Sequence, residues 1–248
     1  MINIKNFWPN APVQGHFFGT NYPMTSAKYY EQDSDLLAHN NATVEAFAKL
    51  YNRPFESFKH CQLNFTDHVL VVESVAQATA HVVADGLVTR NPEVSLLMLT
   101  ADCAPLILYD DTTQTIGLVH ISMRNLHLPI IEKTLAAMQA KNVKALIGPC
   151  IASQNFEIGQ EFAAPILQAY PFLQSCFGTH SNPQKTYLDV GQATKLILVQ
   201  NGVTNVQNVG CDTYANAQDY FSYRRNTHQG AQTPQTLWRN VSVIGLQA

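Results

Sequence analysis

Three apolar runs of strand length follow one another in the middle of the chain: residues 94–99 (VSLLML), 105–109 (PLILY) and 115–120 (TIGLVH). Their unbroken hydrophobicity and flanking turn residues predict buried strands. Polar Asp110-Asp111-Thr112 separates the second run from the third, which predicts a hairpin. Residues 68–73 (HVLVVE) and 143–147 (VKALI) predict further strands, the latter closed by Gly148-Pro149, and strand-like segments recur at 203–209 and near 219–223.

Helical spacing takes over elsewhere. In 40–51 (NNATVEAFAKLY), Val44, Phe47, Ala48 and Tyr51 share one face, Asn40 or Asn41 offers a cap, and Asn52-Arg53-Pro54 stops the run. Residues 128–140 predict an amphipathic helix with Pro129 in its first turn, where a missing N–H costs little. Two more helices are expected at 159–169 and 189–200, with Gly202 past the end of the second. Strands and helices interleave without a repeat, a linker or a low-complexity tract. The expectation is an α+β fold, a mixed sheet with outer helices, in one domain over 1–248.

Composition narrows the function classes. The 248 residues suffice for a core that needs no staples. Charged residues are only 13% of the chain, the formal net charge is −3, and no basic run marks a nucleic-acid surface. Cys61, Cys103, Cys150, Cys176 and Cys211 are odd in number and widely spaced, with no C-x-x-C pair, so neither a disulfide framework nor a zinc ribbon is indicated. The N-terminus has no apolar core of signal-peptide length, and no run approaches the ~18 apolar residues of a membrane span. A cytoplasmic, reduced, soluble protein with no membrane partner is expected.

Candidate chemistry lies at strand ends. The polar cluster from Thr100 to Pro105 (TADCAP) sits between two buried strands, where rigid elements can hold side chains in place. Cys103 beside Asp102 reads as a nucleophile, a metal thiolate or a buried structural cysteine. His120 ends a strand and Arg124 follows in the next loop, which suits a metal ligand or base paired with an anion clamp, or simply a polar surface loop. Asp212-Thr213-Tyr214 and the stretch from Tyr220 to Arg225 (YFSYRR) add two arginines, for aromatic faces, a carboxylate or a structural ion pair. The other histidines, among them His60 and His68, have no mutual ligand spacing.

Taken in order, these segments resemble the laccase-domain, or YfiH-type, family. T-A-D-C-x-P stands at Thr100 to Pro105, and H-A-G-W-R-G appears as HISMRN from His120 to Asn125. I-G-P-x-I appears at Ile147 to Ile151, F-E-V-G as FEIG from Phe156 to Gly159, and F-S-Y-R-R at Phe221 to Arg225. The resemblance implies two mixed sheets packed face to face with outer helices. It also implies a zinc site made of two histidines and one cysteine, and activity on purine nucleosides: phosphorolysis, adenosine deamination or methylthioadenosine cleavage. It is similar in name to copper oxidases, but multicopper chemistry needs many histidine ligands and no His-rich motif is present.

By the same resemblance Cys103 and His120 are metal ligands and catalytic, Arg124 is catalytic and holds phosphate, and Thr213 and Arg225 bind substrate. The chain departs from the pattern at Asn64, which stands in Gln62-Leu63-Asn64-Phe65 where the family's first His ligand is expected. Asn21 replaces an early Arg in the element from Thr20 to Ser26. Ser122, Met123 and Asn125 replace the Gly, Trp and final Gly of the second motif. Three functions follow as expectations: a zinc-dependent purine nucleoside phosphorylase-like enzyme; an impaired relative that binds a nucleoside or a protein partner over a degraded metal site; and a metal-free cysteine hydrolase with Cys103 as nucleophile and His120 as base.

Overall fold

A computed structural model describes residues 1–25, 34–230 and 237–247. Among these residues the strands form three sheets. One joins β1 (Ile2–Asn3), β2 (Val13–Phe18), β14 (Asn240–Leu246), β6 (Ser95–Thr100) and β3 (Phe58–Lys59), in that spatial order. A second runs β13 (Asn205–Asn208), β9 (Val143–Ile147), β7 (Ala104–Asp110), β8 (Thr115–Ile121), β5 (Gly86–Thr89) and β4 (Val69–Val71). A small third sheet holds β10 (Glu157–Gly159), β12 (Lys185–Leu188) and β11 (Phe177–Gly178). The two large sheets are both mixed. In the first only β3 runs parallel to its neighbour; in the second β13 with β9 and β4 with β5 are parallel.

The hairpin of β7 and β8 shows why those runs are unbroken. Ile107 and Tyr109 of β7, with Ile116 and Leu118 of β8, pack toward Phe17, Leu96, Met98 and Ile244 of the other sheet. The alternate residues, Leu106, Leu108, Val119 and Ile121, face helices instead. Strands covered on both faces cannot show polar alternation. The helices on that outer side are α2 (Ile130–Met138), α3 (Gln160–Ala169) and α4 (Val190–Gln200). α1 (Ser34–Tyr51) covers the far side of the first sheet through Val44, Phe47 and Tyr51, against Phe18, Leu97, Val241 and Val243. The fold is thus α+β, with the face-to-face sheets and outer helices expected.

Two expectations need correction. The first long helix starts at Ser34, so Asn40 is not its cap; its amide accepts from Thr25 N and donates to Thr25 O, tying the chain before the helix to its flank. The segment near 219–223 is not a strand. Ser222 accepts a hydrogen bond from Arg225 N at 3.1 Å and caps a short helix, α5 (Tyr223–His228), so capping overrides the β preference of the aromatic residues. Of the early element from Thr20 to Ser26, Ser26 lies outside the described residues. Gly202 ends α4 at φ +82°, as expected of a residue that must turn left-handed. No helix among the described residues is long and apolar enough to cross a membrane.

Asp110, buried at the end of β7, ties two connections together. Its carboxylate accepts from the backbone N–H groups of Thr112 and Thr113 in the hairpin turn, and from those of Lys141 and Asn142 before β9. Burial pushes its pKa up, but these donors outweigh burial and hold it below the usual carboxylate range. Asp110→Ala is expected to cost about 2–3 kcal/mol at neutral pH. Because the folded pKa is depressed, that stabilisation is complete above the unfolded value of about 4 and fades as pH falls through the folded one. Urea melts at pH 7 and pH 3 check this: the gap between wild type and variant should narrow in acid, and an equal gap would contradict it.

Candidate active site

The site forms where β6 hands over to β7 and where β8 ends. Asp102 sits in this handover at φ +82°, a backbone region that side chains other than glycine rarely enter. Three contacts hold it there. Thr213 Oγ1 and the backbone N–H of Arg224 each donate to its carboxylate at 2.7 Å, and its carbonyl accepts from Ile151 N at 3.0 Å. The turn places Cys103, half-buried, at the start of β7. The hairpin register sets Pro105 opposite His120 and Ala104 opposite Ile121, so the two strand ends arrive side by side. The Cys103 thiol lies close enough to His120 and Ser122 for both to act on its ionisation.

His120 is buried, and its Nδ1 lies 2.6 Å from Asp85 Oδ1. Asp85 is fully buried just before β5. Its other oxygen accepts from Asn64 N at 3.2 Å, from Thr66 N at 2.7 Å and from Thr66 Oγ1 at 3.0 Å. The backbone adds a further clamp: His120 N donates to Asp85 O at 2.8 Å. Asn125, where the motif has glycine, is fully buried and acts as a strut. Its side chain accepts from Ser122 N and donates to His120 O and Thr66 O.

Burial opposes charge on all three central groups, yet their mutual contacts prevail. Burial pushes the Cys103 thiol up, but the adjoining imidazolium and the Ser122 hydrogen bond bring it below its ordinary value. Burial pulls His120 down, but the Cys103 thiolate and the Asp85 carboxylate raise it above its ordinary value. Asp85 is likewise lowered by His120 and by its backbone donors, against burial. The contacts thus favour charge on each member against burial: they lower Cys103, raise His120 and lower Asp85.

Beside the cluster, Arg124 is exposed, with its Cζ 5.2 Å from the Phe65 ring centroid and 5.6 Å from that of Phe162 on α3. None of its guanidinium donors meets a protein acceptor among the described residues, so they remain open to a ligand. Thr213 is fully buried and spends its hydroxyl proton on Asp102. Arg225 turns inward, donating to the carbonyls of Thr213, Tyr214 and Tyr220. In this arrangement Thr213 holds the Asp102 turn directly, and Arg225 holds the carbonyls of Thr213 and its neighbours.

Asp85, Ser122 and Phe65 escape the sequence reading. Asp85 carried one signal, a lone acid directly before the apolar strand 86–89, but its partner lies 35 residues away.

These residues supply part of a zinc site. His120 with a carboxylate on its second nitrogen, beside a thiolate, suits a zinc ligand pair. The third position does not. Asn64 stands at the turn beside Asp85, exposed and carrying a neutral amide, a poor zinc donor. His68 bonds instead to Val83 O at 2.6 Å. His60 is held to about 4 by burial and by the nearby His81 and Lys59. Among the described residues no group of three His, Cys, Asp or Glu side chains could hold a metal ion. Catalytic zinc takes three protein ligands, so the donor set does not fit one.

Residues 21–240 match the family described as multi-copper polyphenol oxidoreductase laccase, and the chain belongs to that family. Among curated relatives, a purine nucleoside phosphorylase of Rickettsia conorii is 27% identical over 88% of this chain and 91% of its own length. Another, of Deinococcus radiodurans, is 31% identical over 77% of this chain and 72% of its own. Two solved structures share the fold. YlmD of Geobacillus stearothermophilus is 19% identical, with a TM-score of 0.80 over 97% of this chain and 94% of that one. A Neisseria meningitidis protein is 21% identical, with a TM-score of 0.79 over 96% of each chain.

Proposed function

We propose that the chain cleaves purine nucleosides such as adenosine and inosine by phosphorolysis at the Cys103–His120–Asp85 cluster. The observation that carries this is the buried His120, held by Asp85 at 2.6 Å, sharing the Phe65 ring with an arginine whose guanidinium has no protein acceptor among the described residues. In the reaction a phosphate oxygen attacks the anomeric carbon and the bond from that carbon to the purine nitrogen breaks. Its electron pair stays with the base, which must gain a proton. Asp85 holds Nδ1, leaving the other ring nitrogen of His120 to supply that proton. Cys103 helps keep the proton on the ring until it is needed. Arg124 holds the phosphate. The names of the relatives support the same substrate class. No step is routed through zinc, because the donor set does not fit it.

The test is release of base from adenosine, inosine and methylthioadenosine with and without phosphate. Phosphate-dependent release is expected, with ribose 1-phosphate as co-product from adenosine and inosine and methylthioribose 1-phosphate from methylthioadenosine. Cys103→Ala is expected to keep the fold, since a core of this size does not rest on one half-buried thiol, and to slow release roughly tenfold by weakening the proton's hold on His120. An undiminished rate would remove Cys103 from the mechanism. A second reading, nucleoside binding without turnover, is favoured by Asn64. Calorimetric binding of a nucleoside with no base released would establish it in place of the first.

A further inference from the structure

We propose that Phe65 is a positioning residue which, with Phe162, fixes the Arg124 guanidinium as a receptor for inorganic phosphate beside Cys103 and His120. The proposal rests on the reading of Arg124 as the phosphate holder. It begins with a backbone oddity. Phe65 adopts φ +58°, and a bulky side chain at positive φ is a true outlier. The turn itself has an evident purpose: it aims the N–H groups of Asn64 and Thr66 at one oxygen of Asp85, a small anion-binding nest. That purpose needs only the backbone, and glycine would satisfy it without strain. The phenyl ring is therefore not explained by the turn.

What the ring touches does explain it. Phe65 is 37% exposed, so it is not a core residue. Its centroid lies 5.6 Å from the His120 ring and 5.2 Å from Arg124 Cζ. Phe162, from a different element, lies 5.6 Å from the same carbon. Two rings against a guanidinium restrict a long side chain that would otherwise sample many rotamers, and they leave its N–H edges free. Ordering the arginine before the ligand arrives removes a cost that binding would otherwise carry. The receptor is thereby held next to the cluster rather than swinging in solvent.

The experiment is calorimetric titration of inorganic phosphate into wild type, Phe65→Gly and Phe65→Tyr, with steady-state kinetics alongside. Phe65→Gly should fold, because glycine suits the turn and the Asp85 nest survives. Its phosphate affinity is expected to fall roughly five-fold or more, while Phe65→Tyr stays within about twofold, because tyrosine presents the same aromatic face. In nucleoside cleavage the KM for phosphate should rise in Phe65→Gly with kcat little changed, a split that a general structural defect would not give. Unaltered phosphate affinity in Phe65→Gly would overturn the proposal, as would a wild type that binds no phosphate at millimolar concentrations. If phosphate binding responds as stated but no nucleoside is cleaved, the positioning role stands and phosphorolysis falls.

Discussion

Asp85→Asn is expected to slow nucleoside cleavage roughly a thousandfold, by analogy with carboxylates that orient a catalytic imidazole, and to cost about 2–4 kcal/mol of stability. The size of the effect follows from how fully the carboxylate is used. One oxygen meets the His120 ring at 2.6 Å; the other takes two backbone N–H groups and the Thr66 hydroxyl. An amide has one oxygen and one NH₂ group. If the NH₂ turns to the backbone, donors face donors in a fully buried place. If it turns to His120, Nδ1 must accept instead of donate, the ring changes tautomer, and the imidazolium loses its partner. Neither orientation keeps both halves of the network. Urea denaturation reads the stability change, base release reads the rate, and the imidazole ¹⁵N shifts of His120 report its tautomer and charge. A variant with a rate within about threefold of wild type and an unchanged ring spectrum would show that Asp85 does not hold His120 as described.

The parts of this site that could be read from the sequence are those whose signals are local. Cys103 and His120 stand at the ends of adjoining apolar runs, and the hairpin turn between the runs is polar, so their proximity follows from the β7–β8 pairing. Asp85, Asn64 and Phe65 come from other elements, and their roles depend on contacts across 19 to 59 residues of sequence. The surroundings of Arg225 were hidden for a related reason. Exposed and inward-facing arginines look alike in a sequence, and only the fold shows three carbonyls converging on this one. The same holds for the sheets. β7 and β8 announce themselves by continuous hydrophobicity, whereas β14 (NVSVIGL) is broken by Asn, Ser and Gly, and its partner β2 lies more than 220 residues earlier. Gly245 also lies close against β6 there: a side chain at that position would meet Ser95 Oγ. Such a glycine lowers the local strand signal while serving the packing.

Asn64→His is expected to raise zinc affinity on the order of 100-fold or more, since an imidazole would complete a set of three strong ligands. The backbone N–H of residue 64 bonds to the same carboxylate that clamps His120, which brings position 64 to the edge of the cluster. Two ligands already stand ready, a thiol with lowered pKa and a histidine whose second nitrogen is engaged. The resemblance would put the Asn64 amide oxygen in the third place, a donor better matched to harder cations such as calcium or magnesium. Titration of zinc against a chelating indicator, with wild type and variant under the same conditions, gives both affinities directly and does not depend on any activity. Tight, stoichiometric zinc in the wild type would mean that another group completes the set. Equal affinities would mean that residue 64 does not face Cys103 and His120. Catalysis need not rise with the metal: zinc would take the Cys103 thiolate and the free nitrogen of His120 for itself. In the proposed phosphorolysis those same atoms keep and deliver the proton, so the variant should gain zinc and lose metal-free base release together.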